Sequence, residues 1–521
     1  MTRYAGAVLA ALLLAAAFAG PAAAEITLPV NDNNTGIFDQ PSAVLDDTAV
    51  RVAFIGDASG SGVYKVYIAS VDGNFDFVRT TFPSDNAYRL TNATAVDNST
   101  SPNDAYYDAR HPKILMRTST HEAVILFQAK ESSGATVYRP YLARVALTGS
   151  TITTISVKKI TGFPTSPVDL STSDIEDISF GIVTTDNVAH IAFCTKSAIG
   201  ASESFQVYFA RVLLGDATVT GTPVLLSSIT NTGGLRPLPS LKLDSSNRAH
   251  IAWVANNSTP VTSPVYYALV KEQPAGNPDN NVIQATQVIA TPGIRWGFPI
   301  TLVYSPSSVV ILAADETVSG QAGNLGIVNI NPDADDQDGD PAFTADARTF
   351  FLSPLGEAII ADGIRLYHPD AFLDSAGKIH LAGYGIDNVF GDYGAIILTT
   401  SSPYYDFQPS MVSWGGGTTE YPKELSGDYT RAAFVYMPSA GKVVIFWSGE
   451  IGTNRNLDVT TAKTSSIVTP AQESGCSMVA YPGSGENGRM AGAAILFLPA
   501  VVLGVRRISR RSRMARGRDV V

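Results

Sequence analysis

The sequence predicts an all-β protein, a seven-bladed β-propeller of four-stranded antiparallel blades, on three observations. A unit of 60 to 72 residues recurs along the chain, and self-similarity at such a period is the signature of a repeat architecture. Each unit consists of short β-branched and aromatic runs separated by Gly, Asn, Asp, Ser and Pro, which is strand-and-turn chemistry. No segment of the body sustains the 3.6-residue period of an amphipathic helix.

The repeat is plainest in two segments. Pro239-Ser-Leu-Lys-Leu-Asp244 leads through Ser-Ser-Asn-Arg-Ala to His250-Ile251-Ala-Trp253, and Pro369-Asp-Ala-Phe-Leu-Asp374 leads through Ser-Ala-Gly-Lys-Ile to His380-Leu381-Ala. Pro41 to Val52 has the same form with one residue fewer, and Pro112 to Val124 and Pro299 to Ile311 keep the spacing. Ile178 to Ile191 and Tyr429 to Val444 lack the proline. The anchors are therefore Val52, Val124, Ile191, Ile251, Ile311, Leu381 and Val444. The proline is expected at the first residue of each inner strand, where no ladder donor is lost. A third strand follows in four units as Tyr67-Ile-Ala69, Tyr141-Leu-Ala143, Tyr208-Phe-Ala210 and Tyr266-Tyr-Ala268. A weaker fourth follows, such as Ile283 to Ala290. Residues 25–30 are expected to complete the last blade and close the ring.

Both ends read as targeting signals. Residues 1–24 form a secretory signal peptide: Arg3, the apolar run Val8 to Phe18, and a small-residue cleavage site ending at Ala24. The propeller then spans 25–470, and 471–489 is a Gly/Ser-rich linker holding Gly475 and Cys476. Residues 490–505 form a hydrophobic helix, short of the roughly 20 residues that span a bilayer. Residues 506–521 form an Arg-rich tail that stays cytoplasmic by the positive-inside bias. A Cys motif, a short hydrophobic helix and an Arg cluster resemble the bacterial CTERM sorting signals of the Synerg-CTERM and JDVT-CTERM kinds. That resemblance implies cleavage near Gly475 and Cys476 by an intramembrane protease and transfer from the inner membrane to the cell surface. The alternative is a permanent single-pass anchor, and in both cases the body is exported and faces outward.

Residues 25–475 keep 27 of the 36 Lys and Arg and 45 of the 47 Asp and Glu, a net charge of −18. So acidic a surface argues against nucleic acid as partner. With only Cys194 and Cys476 in the chain, no disulfide framework holds the fold, and Cys194 is expected as a buried free thiol.

The repeat, with its Pro, Asp, His-[Ile/Leu]-Ala and Tyr-x-Ala positions, resembles the blades of sialidase-like (BNR-like) propellers. The Ser-x-Asp-x-Gly-x-x-Trp box of true sialidases occurs in no blade.

In a propeller the loops leading into each innermost strand share one face with the loops between second and third strands. On that face the sequence puts Arg110, Arg236, Arg295, Trp296, Arg365 and Arg431, expected as ligand-binding residues. Converging guanidinium forks bind carboxylates bidentately, and Trp296 can stack on a sugar. The alternative is that these arginines pair with neighbouring carboxylates and tie blades together. The sialidase resemblance implies a tyrosine nucleophile with a carboxylate partner, for which Tyr367 or Tyr429 and Glu176 or Asp177 are the candidates. His190, His250 and His380 recur by repeat. Each is expected to bond across the preceding turn, to Asp186, Asp244 or Asp374, rather than to bind metal. No cofactor is expected. Calcium is the one candidate ion, at Asp333, Asp335, Asp336, Asp338 and Asp340, hard oxygen donors at near-alternate positions with a glycine among them. A solvated acidic loop is the alternative.

Taken together, the sequence leads first to a non-catalytic binding or scaffold module for a glycan or an envelope or extracellular protein. The second reading is a sialidase-like hydrolase or lyase acting on acidic sugars.

Overall fold

A computed structural model describes the strands named below, together with residues 60–64, 90, 106–108, 120–121, 130–138, 160–165, 187, 214–217, 237–239 and 244–248. Every extended element among them is a β-strand. After β1 (Leu28–Pro29), the chain builds antiparallel sheets in sequence order. The first holds β2 (Ile37–Asp46), β3 (Ala49–Asp57), β4 (Lys65–Val71) and β5 (Ala87–Arg89). The second holds β6 (Ala109–Arg117), β7 (Glu122–Ala129), β8 (Arg139–Thr148) and β9 (Thr151–Lys159). Next come β10 (Asp174–Val183), β11 (Val188–Ile199), β12 (Ser202–Leu213) and β13 (Thr218–Thr230), then β14 (Ser240–Leu243), β15 (Ala249–Val254), β16 (Val265–Val270) and β17 (Val282–Ile289). They are followed by β18 (Trp296–Ser305), β19 (Ser308–Asp315), β20 (Asn324–Asn331) and β21 (Thr344–Phe351). β22 (Arg365–Leu373), β23 (Ile379–Asp387), β24 (Asp392–Thr400) and β25 (Phe407–Ser413) form another sheet. Last come β26 (Ala433–Met437), β27 (Lys442–Ile451) and β28 (Asn454–Lys463), to which β1 adds the outer strand through Leu28↔Val459 and Pro29↔Asp458.

The first strands of successive sheets are neighbours, and β26 lies against β2, so the series returns to its start. Four-stranded antiparallel sheets arranged in this way make a β-propeller, an architecture that leaves only short, protected strand edges. Ser448 bonds the two ends of the chain, its hydroxyl donating to the Phe38 carbonyl at 2.7 Å.

Hydrophobic cores form between sheets. Each second strand is apolar on both sides because both sides are covered: Ile191 and Phe193 pack toward the second sheet, while Ala192 packs toward β14 and β15. The Tyr-x-Ala pattern is indeed the third strand. Its tyrosine lies opposite an aromatic residue of the second strand in four sheets: Phe54↔Tyr67, Phe127↔Tyr141, Phe193↔Tyr208 and Trp253↔Tyr266. All four pairs are stacked, with centroids 5.6–5.7 Å apart. This fixes the repeat alignment and corrects one anchor. Ala143 lies opposite Ile125, not Val124, and Ile125 packs toward the first sheet while Val124 packs toward the third. A shift of one residue moves a side chain to the other face of a strand.

The proline position also differs from expectation. Pro41, Pro112 and Pro369 lie inside β2, β6 and β22, where the register slips between Asp39 and Ser42, Arg110 and Lys113, and Tyr367 and Asp370. A bulge tolerates a missing N–H, as a regular ladder does not. The residue before the proline takes a left-handed backbone in Gln40 (φ 54°) and His111 (φ 50°). Because the innermost strand is an edge, its outward amides need acceptors. The preceding sheet supplies them. Ser42 Oγ accepts Ile114 N–H, Ser179 Oγ accepts Leu241 N–H, and Gln40 Oε1 accepts His111 N–H.

At the opposite end of the sheets the arginines are neutralised. Arg51 pairs with Asp46 and bonds Ser70, Glu122 lies between Arg117 and Arg144, and Asp244 holds Arg248. His250 is fully buried, with Nε2 3.3 Å from Asp244 and Nδ1 2.7 Å from the Tyr267 hydroxyl, which bears out the expected bond across the turn. His190 is buried with its ring edge-on to Phe209, and Asp186 and Asp374 lie outside the described residues. Cys194 is a buried thiol outside any disulfide.

Candidate active site

The bulge organises one end of the molecule. In five sheets two residues near the start of the first strand stand opposite a single residue of the second, so the register slips by one. The residue just before each slip is Asp39, Arg110, Glu176, Trp296 or Tyr367. The slipped residues include Gln40, His111, Asp177 and His368. Two carboxylates, a guanidinium, an indole and a phenol thus occupy one register position around the ring. Glu176, Asp177, Trp296, Arg365 and Tyr367 are placed here by backbone register alone. Arg365 stands two residues before Tyr367, opposite Ile386, so it and Arg110 do not share a position.

Asp39 is fully buried in the bulge and accepts the Gln40 N–H at 2.6 Å. Arg110 does not extend alone toward the axis. Its Nε donates to Gln128 Oε1 on the neighbouring strand at 2.7 Å, and its guanidinium carbon lies 3.9 Å from the centroid of the Tyr138 ring. The Tyr138 hydroxyl donates to Asp108 Oδ2 at 2.6 Å, and Lys130 Nζ lies 3.2 Å from the same oxygen. Asp108 is buried and also accepts the Tyr64 N–H from the first sheet at 3.1 Å.

A hydrogen-bonded tyrosine–carboxylate pair beside an arginine is therefore present, but it is built from Asp108 and Tyr138. Sequence reasoning missed both. Asp108 stands just before β6 and Tyr138 just before β8, in segments with no repeat pattern, and only the convergence of the two loops brings them together. Arg236, Arg295, Tyr429 and Arg431 lie outside the described residues, as do Asp333, Asp335, Asp336, Asp338 and Asp340 of the acidic loop. Ala24, Gly475, Cys476 and the hydrophobic segment 490–505 lie outside them too. Among the described residues no cluster of His, Cys, Asp and Glu could hold a metal ion, and no helix is long and apolar enough to cross a membrane.

No protein-family profile matches the chain, and no curated protein matches it. Solved structures do resemble it. An ulvan lyase from a new polysaccharide lyase family, bound to -[GlcA(1-4)Rha3S]-, is 9% identical over 85% of this chain and 98% of its own, with a TM-score of 0.48. An α-L-arabinanase of Penicillium chrysogenum, complexed with arabinobiose, is 12% identical over 73% of this chain and 99% of its own, with a TM-score of 0.42. An endo-arabinase from Bacteroides thetaiotaomicron is 12% identical over 62% of this chain and 96% of its own, with a TM-score of 0.32. These are catalytic glycoside hydrolases and polysaccharide lyases. The first reading of the sequence, a non-catalytic binding or scaffold module, does not stand beside structures of this kind.

Proposed function

We propose that the chain is an exported carbohydrate-active enzyme, a hydrolase or lyase on acidic sugars, working at the bulged end of a seven-bladed propeller. The observation that carries this reading is the common register position of Asp39, Arg110, Glu176, Trp296 and Tyr367. Carboxyl and phenol groups supply the general acid and base that glycosidic cleavage or β-elimination requires. A guanidinium is suited to a sugar carboxylate, and an indole to the apolar face of a pyranose. Fold alone does not imply function, so the reading rests on these residue types at one position. The signals at the two ends of the sequence support export, with the body displayed outside the inner membrane.

The test is turnover. The purified protein is incubated with uronate-containing polysaccharides, reading new reducing ends for hydrolysis and ultraviolet absorbance of an unsaturated product for elimination. Activity is expected on at least one acidic polymer, reduced about 100-fold or more in Glu176→Gln or Tyr367→Phe. Full activity in both variants, or no cleavage of any acidic polymer, overturns the reading.

A further inference from the structure

At the end of the sheets opposite the bulges, two of the turns between a first and a second strand reach the sheet before them. The residue directly before β7 is His121, and the residue directly before β11 is Asn187. Both take a left-handed backbone, with φ 48° and 56°, which His and Asn adopt more readily than most residues. Both meet the last residue of the preceding sheet's first strand. Asn187 Oδ1 accepts a bond from Arg117 Nη1 at 3.2 Å, which ties the third sheet to the second. His121 holds the same place against Asp46, the last residue of β2, with Nδ1 3.9 Å from Asp46 Oδ1.

The two junctions differ in chemistry. The contact to the third sheet joins a guanidinium to an amide, neither of which titrates near neutral pH. At the first junction the Asp46 carboxylate is used unequally. Its Oδ2 accepts Arg51 Nε and Nη2 at 3.0 and 2.8 Å, whereas Oδ1 is buried with no hydrogen-bond partner among the described residues. A buried acceptor without a donor is costly, and a charged one more so. The His121 side chain is 59% exposed, so its ring can rotate in solvent. At 3.9 Å it stands about 1 Å beyond a charge-assisted N–H···O bond, a gap that rotation closes. The other charged groups around the turn are engaged: Glu122, at the start of β7, takes Arg117 and Arg144, and Arg51 stays on Asp46 Oδ2. Asp47 lies outside the described residues. As classes, carboxylates and guanidinium groups keep their charge between about pH 5.5 and 8, and imidazole does not.

We propose that the junction of the first two sheets is a pH-dependent latch, in which the imidazolium of His121 closes onto Asp46 Oδ1. The proton comes from solvent and returns to it, and no covalent bond changes. Protonation gives the ring a positive charge and an N–H at Nδ1 at once, so it meets the anionic acceptor more strongly than the neutral ring does. The contribution is present below about pH 6, where imidazole is charged, and falls away as the pH rises toward about 8. It fades again below about pH 4, where carboxylates lose their charge. At the next junction Asn187 makes the corresponding contact independent of pH. The latch lies at the end away from the bulges, so it stands independently of the proposed activity.

Amide hydrogen exchange of the full chain, read by mass spectrometry at about pH 5.5 and about pH 8 and corrected for the intrinsic rate at each, tests the latch. The peptides to follow cover residues 44–50 and 117–123, with β12, which contains no histidine, as the reference. Relative to β12, protection of both junction peptides is expected to be about twofold to fivefold higher at the lower pH, the range that an exposed ion pair supplies. His121→Asn suits the left-handed backbone and puts the third sheet's residue in this turn. It is expected to abolish the difference and to match the wild type at the higher pH. Equal protection of the wild type at the two pH values overturns the latch. So does a pH difference that persists in His121→Asn, because it then belongs to another group.

Discussion

Asp244 shows how much one side chain of the repeat does. Its Oδ1 accepts the amides of Ser246 and Arg248 at 2.8 and 2.9 Å, and Oδ2 accepts Arg248 Nε at 2.6 Å. Burial alone would raise its pKa, but the Arg248 and His250 bonds outweigh burial and hold the carboxyl below its ordinary value. A depressed native pKa stabilises the fold above the unfolded-state value and loses that contribution as pH falls through the native one. Asp244→Asn is therefore expected to cost about 3 kcal/mol at neutral pH, leaving the buried partners short of their charge. The difference from wild type in urea midpoint should narrow as pH drops below about 4. A gap that stays constant down to pH 3 would mean that the carboxylate charge contributes nothing. Elsewhere burial, with the charge of Glu131, pushes Tyr141 up to about 12, so it remains a neutral phenol in its stack throughout the physiological range. His250 was legible from recurrence, since a histidine six residues after an aspartate in a turn needs a polar partner once both are buried. Tyr138 and Asp108 were not, because their pairing depends on two loops meeting in space.

Between strands, the deciding contacts are the stacked cross-strand aromatics and the close approach of one sheet to the next. The Tyr-x-Ala tyrosines each face a ring two or so residues beyond the anchor, a pairing legible as pattern before its partner was known. Val124 shows where pattern fails. In Val124-Ile-Leu-Phe127 every residue is apolar because both faces of the strand are covered, so periodicity alone does not choose the register. Only the ring opposite Tyr141 does. A double-mutant cycle on Phe193 and Tyr208 is expected to return a coupling of about 1 kcal/mol, and additivity within error would deny the stack a role beyond area. Gly181 lies against the following sheet, where an added Cβ would stand 2.6 Å from Leu243 Cγ and 3.0 Å from Leu241 Cδ2. Gly181→Ala is therefore expected to destabilise by about 1–3 kcal/mol through overpacking, read as a lowered melting temperature. The proline belongs to this scale as well. Its regular spacing was visible, yet its place in a bulge was not, because a bulge is a property of two strands and not of one.

For the molecule as a whole, the sequence repeat was enough to foresee sheets of four strands and a closing strand from the N-terminal side. Of the candidate site, the sequence showed the loops that lead into the innermost strands but not the contacts between them. Of the arginines expected at this end, Arg110 lies over Tyr138 and bonds Gln128, while Arg236, Arg295 and Arg431 lie outside the described residues. Closure makes a prediction of its own. Ser448 is buried and bonds a residue 410 positions earlier. Ser448→Ala should lower stability by about 1 kcal/mol, and removing residues 25–30 should lower it further by uncovering the edge of β28. Equal urea midpoints for wild type and both variants would show that the closing sheet contributes nothing to global stability.

The pairing of β1 with β28 joins the first part of the folded body to be synthesised with the last. The opening strand must wait, unpaired, until nearly the whole of residues 28–463 has been made. A product that terminates early keeps the strand but never acquires its partner, so the ring itself tests whether translation has passed β28.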